Sequence, residues 1–306
     1  MKKLFFTLTL TLIPFYTFAY EGTISQSGSC GATDADCHYD LYEDGHLEIS
    51  GTGKMSDFYY PTGNAAPWAP DDGPDIYDNP VKSVNINGVT SIGQWAFLWC
   101  NNLENVQISD SVKEVNTGAF EQSGNHIENI IIPSSVEKIT GWAFTNSDTA
   151  NIIIEGTPEL IGNVFTNTRN AKIYCSSEID CTNKGVYNDI DYQGTVIPYD
   201  KQSGVYLLDG QMYASPIDMA NTQNACVDMD TCKAKVLKNK GYCSSDEACA
   251  AMVEAENANH PIEYKNKSYA TIDDLLKGKH MPKRIYTIDE ANRVAGTKNR
   301  VSIKYR

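Results

Sequence analysis

One short pattern of apolar residues recurs four times between residues 83 and 176 of this chain. Each copy has an apolar pair, then two further apolar residues, and then a small apolar residue followed by phenylalanine. The phenylalanines are spaced 23, 24 and 21 residues apart, at Phe97, Phe120, Phe144 and Phe165. Because a period of this length is typical of solenoids, whose stacked copies bury a core that no single copy can bury, the repeat predicts a short solenoid.

The first apolar pair of each copy predicts a β-strand. The four pairs are Val84/Ile86, Val106/Ile108, Ile130/Ile132 and Ile152/Ile154. Residues separated by one position lie on the same face of a strand, so each pair is expected to face the core. Stacking the copies in register gives one parallel strand per repeat.

The residues between and beside these pairs are expected to face away from the core. We predict that six of them line up across the strands as a binding strip: Asn105, Gln107, Asn129, Ile131, Asn151 and Ile153. Solenoids present such strand faces to their ligands. The alternative is that the asparagines satisfy one another, while a cap or a neighbouring domain covers Ile131 and Ile153.

Two tryptophans, Trp95 and Trp142, occupy the same position in their copies, two residues before the phenylalanine. We interpret them as structural packing beside the phenylalanines, with a pair of sugar-stacking rings as the alternative.

The stretch from Val89 to Ile108, followed by Ile132-Pro-Ser-Ser-Val-Glu-Lys-Ile139, resembles the BspA-type leucine-rich repeats of bacterial surface proteins. The lead-in from Asp44 to Met55, with Pro67-Trp68, is similar to the segment that often precedes them. The resemblance covers about residues 40–176. It implies a curved solenoid, a secreted or surface location and roles in adhesion or protein binding, and it implies no catalytic residues. The fourth copy departs from the pattern at residues 157–159 and is interpreted as the degenerate end of the stack.

The N-terminus has the pattern of a secretory signal. A short basic start is followed by a mostly apolar stretch, and Thr17-Phe18-Ala19 places small residues where a signal peptidase requires them. We expect cleavage after Ala19 and export of the mature protein. No later stretch approaches the roughly 20 apolar residues that a membrane-spanning helix needs.

Nine cysteines in an exported chain indicate disulfides rather than metal ligands. Eight fall into close couples: Cys30/Cys37, Cys175/Cys181, Cys226/Cys232 and Cys243/Cys249. We predict a local bond within each couple; the alternative joins Cys226 to Cys249 and Cys232 to Cys243. The ninth, Cys100, is expected to be a buried free thiol.

The part after the repeats differs in character. Tyr213–Met219 and Tyr269–Leu275 are similar to each other, and each places a tyrosine before a Ser or Thr that can cap a helix. Capping boxes are predicted at Ser244/Glu247 and Thr287/Glu290.

The predicted fold class is α+β: a signal peptide, an N-terminal β cap with a hairpin at Asp44-Gly45, the repeats, a cap or linker, and a small disulfide-tied α+β unit with a basic tail. The corresponding boundaries are residues 1–19, 20–82, 83–176, 177–200 and 201–306.

Charge restricts the partners of the body of the protein. The formal net charge is −14, although residues 277–306 carry nine Lys or Arg against Asp289 and Glu290. An acidic body argues against nucleic acid and anionic membranes as its partners. The acidic cluster from Asp71 to Asp78 lacks the spacing of calcium loops, so we interpret it as a solvated loop.

Signatures of catalysis are missing from the sequence. It contains no nucleophile elbow, no phosphate-binding glycine loop and no histidines with ligand spacing, so we expect no enzyme activity, no metal and no cofactor. The leading hypothesis is an exported interaction or adhesion protein that binds protein or glycan at a cell surface through the strand face. The second is an envelope-attached structural protein held by residues 201–306. The weakest is a hydrolase with dispersed catalytic residues.

Overall fold

The computed structural model describes residues 20–59, 64–69, 79–124, 126–147, 149–168, 170–182 and 194–279. The predicted signal peptide, the acidic cluster at 71–78, the capping box at Thr287/Glu290 and most of the basic tail lie outside the described residues.

Strands dominate the first two thirds of the described chain, and short helices appear only after it. In chain order the strands are β1 (Ile24–Ser29), β2 (His38–Tyr42), β3 (His46–Ser50), β4 (Ser83–Ile86), β5 (Ser91–Ile92), β6 (Asn105–Ile108), β7 (Glu114–Val115), β8 (Asn129–Ile132), β9 (Lys138–Thr140), β10 (Asn151–Ile154), β11 (Glu159–Ile161), β12 (Lys172–Ser176), β13 (Thr195–Gln202), β14 (Val205–Leu208), β15 (Gln211–Tyr213), β16 (Ile262–Tyr264) and β17 (Lys267–Tyr269). The helices are α1 (Pro216–Ala220), α2 (Met229–Asn239), α3 (Asp246–Asn257) and α4 (Ile272–Leu276).

An eleven-stranded sheet forms one side of the solenoid, in the order β1-β2-β3-β4-β6-β8-β10-β12-β13-β14-β15. Strands β3 to β13 of this order are parallel, and the hairpins at both ends are antiparallel. The predicted parallel solenoid is therefore confirmed. The ladder is longer than four strands because β3 precedes the first copy, and β12 and β13 follow the last.

A smaller parallel sheet, in the order β11-β9-β7-β5, holds the second apolar segment of each copy. The core lies between the two sheets. In the larger sheet, Ile86, Ile130 and Ile152 are buried, as the period-two pattern predicts, and in the smaller sheet Val115 and Ile139 meet them from the other side.

The four phenylalanines stack through this core. Ring centroids are 5.0 Å apart from Phe97 to Phe120, 5.6 Å from Phe120 to Phe144 and 5.9 Å from Phe144 to Phe165. Trp68 stacks on Phe97 at 5.6 Å, and its Nε1 donates a hydrogen bond to the carbonyl oxygen of Ala96 at 2.7 Å. Trp68 covers the outer face of Phe97, which would otherwise be open to water. Trp68 therefore closes the N-terminal end of the stack.

The predicted hairpin at Asp44-Gly45 is confirmed. It joins β2 to β3, with Leu41 opposite Leu47, and Gly45 has a φ of 91° that glycine adopts without strain. A side chain there would also collide with the carbonyl oxygen of Pro80, because a Cβ would lie 2.4 Å from it.

After the solenoid, hairpins alternate with short helices, as the similarity of the two tyrosine segments predicts. Ser215 caps α1 by accepting from the amide of Asp218, and Thr271 caps α4 by accepting from that of Asp274. The prediction of Ser244 as the cap of α3 is wrong by one residue. Ser245 has the extended backbone that a cap needs, and its side chain accepts from the amide of Ala248.

The structure contains four disulfides, each within one of the predicted local couples: Cys30–Cys37, Cys175–Cys181, Cys226–Cys232 and Cys243–Cys249. The nested arrangement of the last two is not formed. The last two bonds tie α2 and α3 to the segments that precede them.

The ninth cysteine, Cys100, is a buried free thiol, and burial raises its pKa. Because a buried neutral thiol is a poor nucleophile, we expect a water-soluble disulfide reagent to find no reactive thiol in the native protein and one after unfolding in guanidinium chloride. Cys100→Ser would remove the second signal. Rapid reaction of the native protein would contradict this placement.

Candidate functional site

The outward residues of the parallel strands form rows across the sheet. One row follows the register from Glu48 through Asn85 to Gln107. Since Val106 pairs with Ile130, Gln107 is followed by Ile131. The row then continues through Ile153, Tyr174 and Ile197. Its first half is polar and its second half is apolar.

The C-terminal unit covers the apolar half of the row at Ile153 and Tyr174, and Ile131 lies partly exposed at the edge of this cover. Ile153 has no solvent exposure, and it lies in a cluster with Tyr174, Tyr199, Tyr206, Leu208, Tyr213, Met219 and Ala220. Tyr174 reaches across to donate a hydrogen bond to the carbonyl oxygen of Ala220 at 3.0 Å, and the Tyr199 hydroxyl donates to that of Ile154 at 2.5 Å. Helix α1, together with side chains of β13 and β14 from the end of the same sheet, thus covers the strand face at Ile153.

Glu155 makes polar contacts at the same junction between the solenoid and the C-terminal unit. Its carboxylate accepts a hydrogen bond from the Tyr206 hydroxyl and lies 3.8 Å from Lys201 Nζ, which sits 4.6 Å from the centre of the Tyr206 ring. Burial lowers the pKa of Lys201, although Glu155 opposes this shift. Burial, followed by the charge of Glu155, raises the pKa of Tyr206 well above its usual value. Because a buried polar group is costly without a partner, this trio favours one docked position of the C-terminal unit.

At the end away from the C-terminal unit, the polar half of the row lies beside His46. His46 Nδ1 is 2.6 Å from Ser83 Oγ, and its Nε2 is 2.9 Å from Glu48 Oε1. Asn85 Nδ2 donates to the same Glu48 oxygen at 2.7 Å. The ring of Tyr20 stacks on His46 at 3.8 Å and buries it. The open part of the face therefore runs from Glu48 to the edge of the C-terminal unit.

We call this surface the open strip; it consists of Glu48, Asn85, Asn105, Gln107, Asn129 and Ile131. Asn105 and Gln107 are exposed, and the other four are partly exposed. It crosses four strands spaced by about 4.8 Å, so its length is about 14 Å between the outer strands.

The predicted binding residues separate into two groups. Asn105, Gln107, Asn129 and Ile131 belong to the open strip. The prediction that Asn151 and Ile153 face solvent is wrong, because the C-terminal unit covers their strand. Asn151 Nδ2 donates to Asn129 Oδ1 at 2.9 Å, so at this step of the ladder the asparagines do satisfy one another.

Glu48 belongs to the open strip but was not among the binding residues predicted from the sequence. The predicted N-terminal cap includes Glu48, whereas β3 pairs in parallel with β4 and extends the strand face. The signal that could have found Glu48 is the alternation of residues 46–50, which matches the alternation of the repeats.

Clusters of metal-ligating side chains and membrane-spanning helices are both absent from the described part of the chain. No group of three or more His, Cys, Asp or Glu side chains is placed to hold a metal ion there. None of the helices described is long and apolar enough to cross a bilayer.

Comparison with known families identifies the repeats. The model of the BspA type leucine rich repeat region, in six copies, matches residues 76–191. Residues 76–191 are BspA-type leucine-rich repeats. The match extends beyond the four copies visible in the sequence, as the parallel ladder does. Such repeats are typical of protein-interaction proteins and are associated with bacterial surface proteins.

Among solved structures, a leucine-rich repeat protein from Eubacterium ventriosum is 23% identical, with a TM-score of 0.36. The alignment covers 59% of this chain and 48% of that one, so this chain spans about half the length of its match. No curated protein matches the chain.

Proposed function

We propose that this protein is an exported interaction protein that binds a partner protein through the open strip. The observation that carries the proposal is the division of the strand face. One half is sealed by an apolar contact with the C-terminal unit, and the other half leaves Asn105 and Gln107 exposed beside the partly exposed Ile131. BspA-type repeats support a role in protein interaction, and four disulfides support export to an oxidising compartment.

The chemistry of the open strip suits a polypeptide. Side-chain amides such as those of Asn105 and Gln107 both donate and accept hydrogen bonds, as a peptide backbone does. The partly exposed Ile131 adds an apolar contact at the step where the C-terminal unit begins. Glu48, which accepts from Asn85 and faces His46, places negative charge at the far end. A partner with a polar contact surface, an apolar anchor at one end and a basic residue at the other would match this order.

The proposal is tested by Gln107→Arg, which places a long charged side chain in the middle of the open strip. We expect partner recovery from envelope extracts, with immobilised protein, to fall at least tenfold. The melting temperature should stay within about 1 °C of wild type, since exposed substitutions change stability by about 0.5 kcal/mol or less.

The matched control is Gln223→Arg, the same chemical change at an exposed position after α1. It should recover the partner as wild type does. If Gln107→Arg and Gln223→Arg recover equal amounts, the contact lies outside the open strip, and the proposal is overturned.

A further inference from the structure

The turn before each phenylalanine has an uncommon backbone. Two residues before the phenylalanine, the first three copies have a left-handed residue: Trp95 with a φ of 50°, Gly118 with 63° and Trp142 with 62°. Glycine adopts this conformation readily, whereas a bulky residue does so at a cost in free energy. The first and third copies therefore carry tryptophan where the backbone favours glycine.

At Trp95 the surrounding structure compensates for this cost. Its indole lies over Gly118, where a Cβ would come within 2.3 Å of Trp95 Cδ1. Its Nε1 donates a hydrogen bond to Glu121 Oε2 at 3.0 Å, and the Tyr59 ring meets it edge-on at 5.3 Å. The sequence-based interpretation of Trp95 as a packed residue agrees with these contacts.

Trp142 differs from Trp95 in its exposure and its partners, and its packing beside the phenylalanine stays a prediction. The residue is 43% exposed. Within the described part of the chain, its ring contacts no other aromatic ring and its Nε1 donates no hydrogen bond. A left-handed backbone and an exposed indole are both unfavourable, and within the described residues Trp142 has neither the ring contact nor the indole hydrogen bond that Trp95 has. Retained strain of this kind is typical of a binding residue.

We propose that the ridge formed by Tyr59, Trp95 and Trp142, with Glu121 bonded to Trp95 and Gln122 next to Glu121 in the chain, binds a neutral linear glycan that runs along the solenoid axis. We call this surface the tryptophan ridge; its two tryptophans lie on the turns that precede the phenylalanines, away from the strand face. The proposal is therefore independent of the open strip.

Spacing favours a glycan over other ligands. Trp95 and Trp142 are two repeats apart, and repeats spaced by about 4.8 Å separate the two positions by about 10 Å. This distance is comparable to the length of a disaccharide unit, so alternate sugars of an extended chain would reach the two indoles. The apolar face of a sugar ring stacks on an indole and covers its exposed surface.

Two polar side chains, Glu121 and Gln122, lie beside the tryptophans of the first copy, where they could meet sugar hydroxyls. Glu121 already accepts from Trp95 Nε1, and Gln122 Oε1 accepts from Trp99 Nε1 at 3.0 Å, so both side chains are held in place. A carboxylate accepts hydrogen bonds from hydroxyl groups, and an amide also donates them. The ridge contains no Lys or Arg, and Glu121 would repel a polyanion, so the structure favours a neutral glycan.

The test uses three hexasaccharides as probes: β-1,4-linked glucose, β-1,4-linked N-acetylglucosamine and α-1,4-linked glucose. Binding is measured by calorimetry and by the change in tryptophan fluorescence. We expect at least one β-linked probe to bind, and Trp142→Ala to weaken that binding at least tenfold. Trp142→Phe, which keeps an aromatic face, should lose less affinity. Neither variant should lower the melting temperature.

Ile217→Ala is the matched control, because Ile217 on α1 is also 43% exposed. It should bind the probes as wild type does, as should Gln107→Arg, which separates failure of this proposal from failure of the open strip. The proposal is overturned if none of the three probes binds, or if Trp142→Ala binds as tightly as wild type. It is also overturned if Trp142→Ala loses a protein partner while no glycan binds.

Discussion

Phe120→Ala is expected to lower the free energy of unfolding by about 3–5 kcal/mol. Phe120 is fully buried, and it is stacked between Phe97 and Phe144 with nearly parallel rings, at interplanar angles of 9° and 4°. Truncation would remove the ring and leave a cavity in the middle of the stack, with an apolar surface on both sides. Neighbouring strands hold the adjacent repeats in register, so the cavity cannot close by a local shift of one ring.

The measurement is thermal unfolding, and a loss of this size should lower the melting temperature by roughly 6–20 °C. Phe165→Ala provides a graded comparison. Phe165 stacks on one phenylalanine only, Phe144, at 5.9 Å. Its replacement should cost less than that of Phe120. A Phe120→Ala protein that melts within 1 °C of wild type would show that the stack does not hold the solenoid together.

The second large effect is expected from Ile153→Arg. Ile153 is fully buried between the strand face and the tyrosines of the C-terminal unit. An unpaired charge at this position would lose its hydration, because the hydrogen-bonding groups nearby, Tyr174, Tyr199 and Tyr206, already have partners. We expect a loss of at least about 4 kcal/mol, or release of the C-terminal unit from the solenoid.

Two measurements separate these outcomes. Thermal unfolding reports the loss of stability, and limited proteolysis reports undocking, because a released C-terminal unit should be cleaved faster. Gln107→Arg is the matched control: it lies in the same row two strands away, but it is exposed, and both readouts should remain at the wild-type level. If Ile153→Arg behaved in the same way as Gln107→Arg, the C-terminal unit would not be docked on the strand face.

The sequence was sufficient to predict the local structure of the repeats. Alternation at Val84/Ile86 or Ile130/Ile132 determines which side chains face the core, because neighbours along a strand point to opposite faces. The regular spacing of the phenylalanines determines that they stack. The cysteine couples are close enough in sequence to be joined locally, and the hairpin at Asp44-Gly45 follows from its turn residues. Each of these features depends on residues that are neighbours in sequence or equivalent in successive copies.

Contacts between distant parts of the chain were decided by the tertiary structure alone. Ile131 and Ile153 have the same residue type and the same place in their copies, yet Ile131 belongs to the open strip and Ile153 is buried under the C-terminal unit. Tyr206 bonds Glu155 across 51 residues and Tyr174 bonds Ala220 across 46. No period in the sequence encodes these contacts, since each occurs once. For the same reason, the sequence could not distinguish Trp95, which packs on Gly118, from Trp142, which remains exposed. The repeat pattern determined which side chains point away from the core. Only long-range packing decided which of these side chains are exposed to solvent.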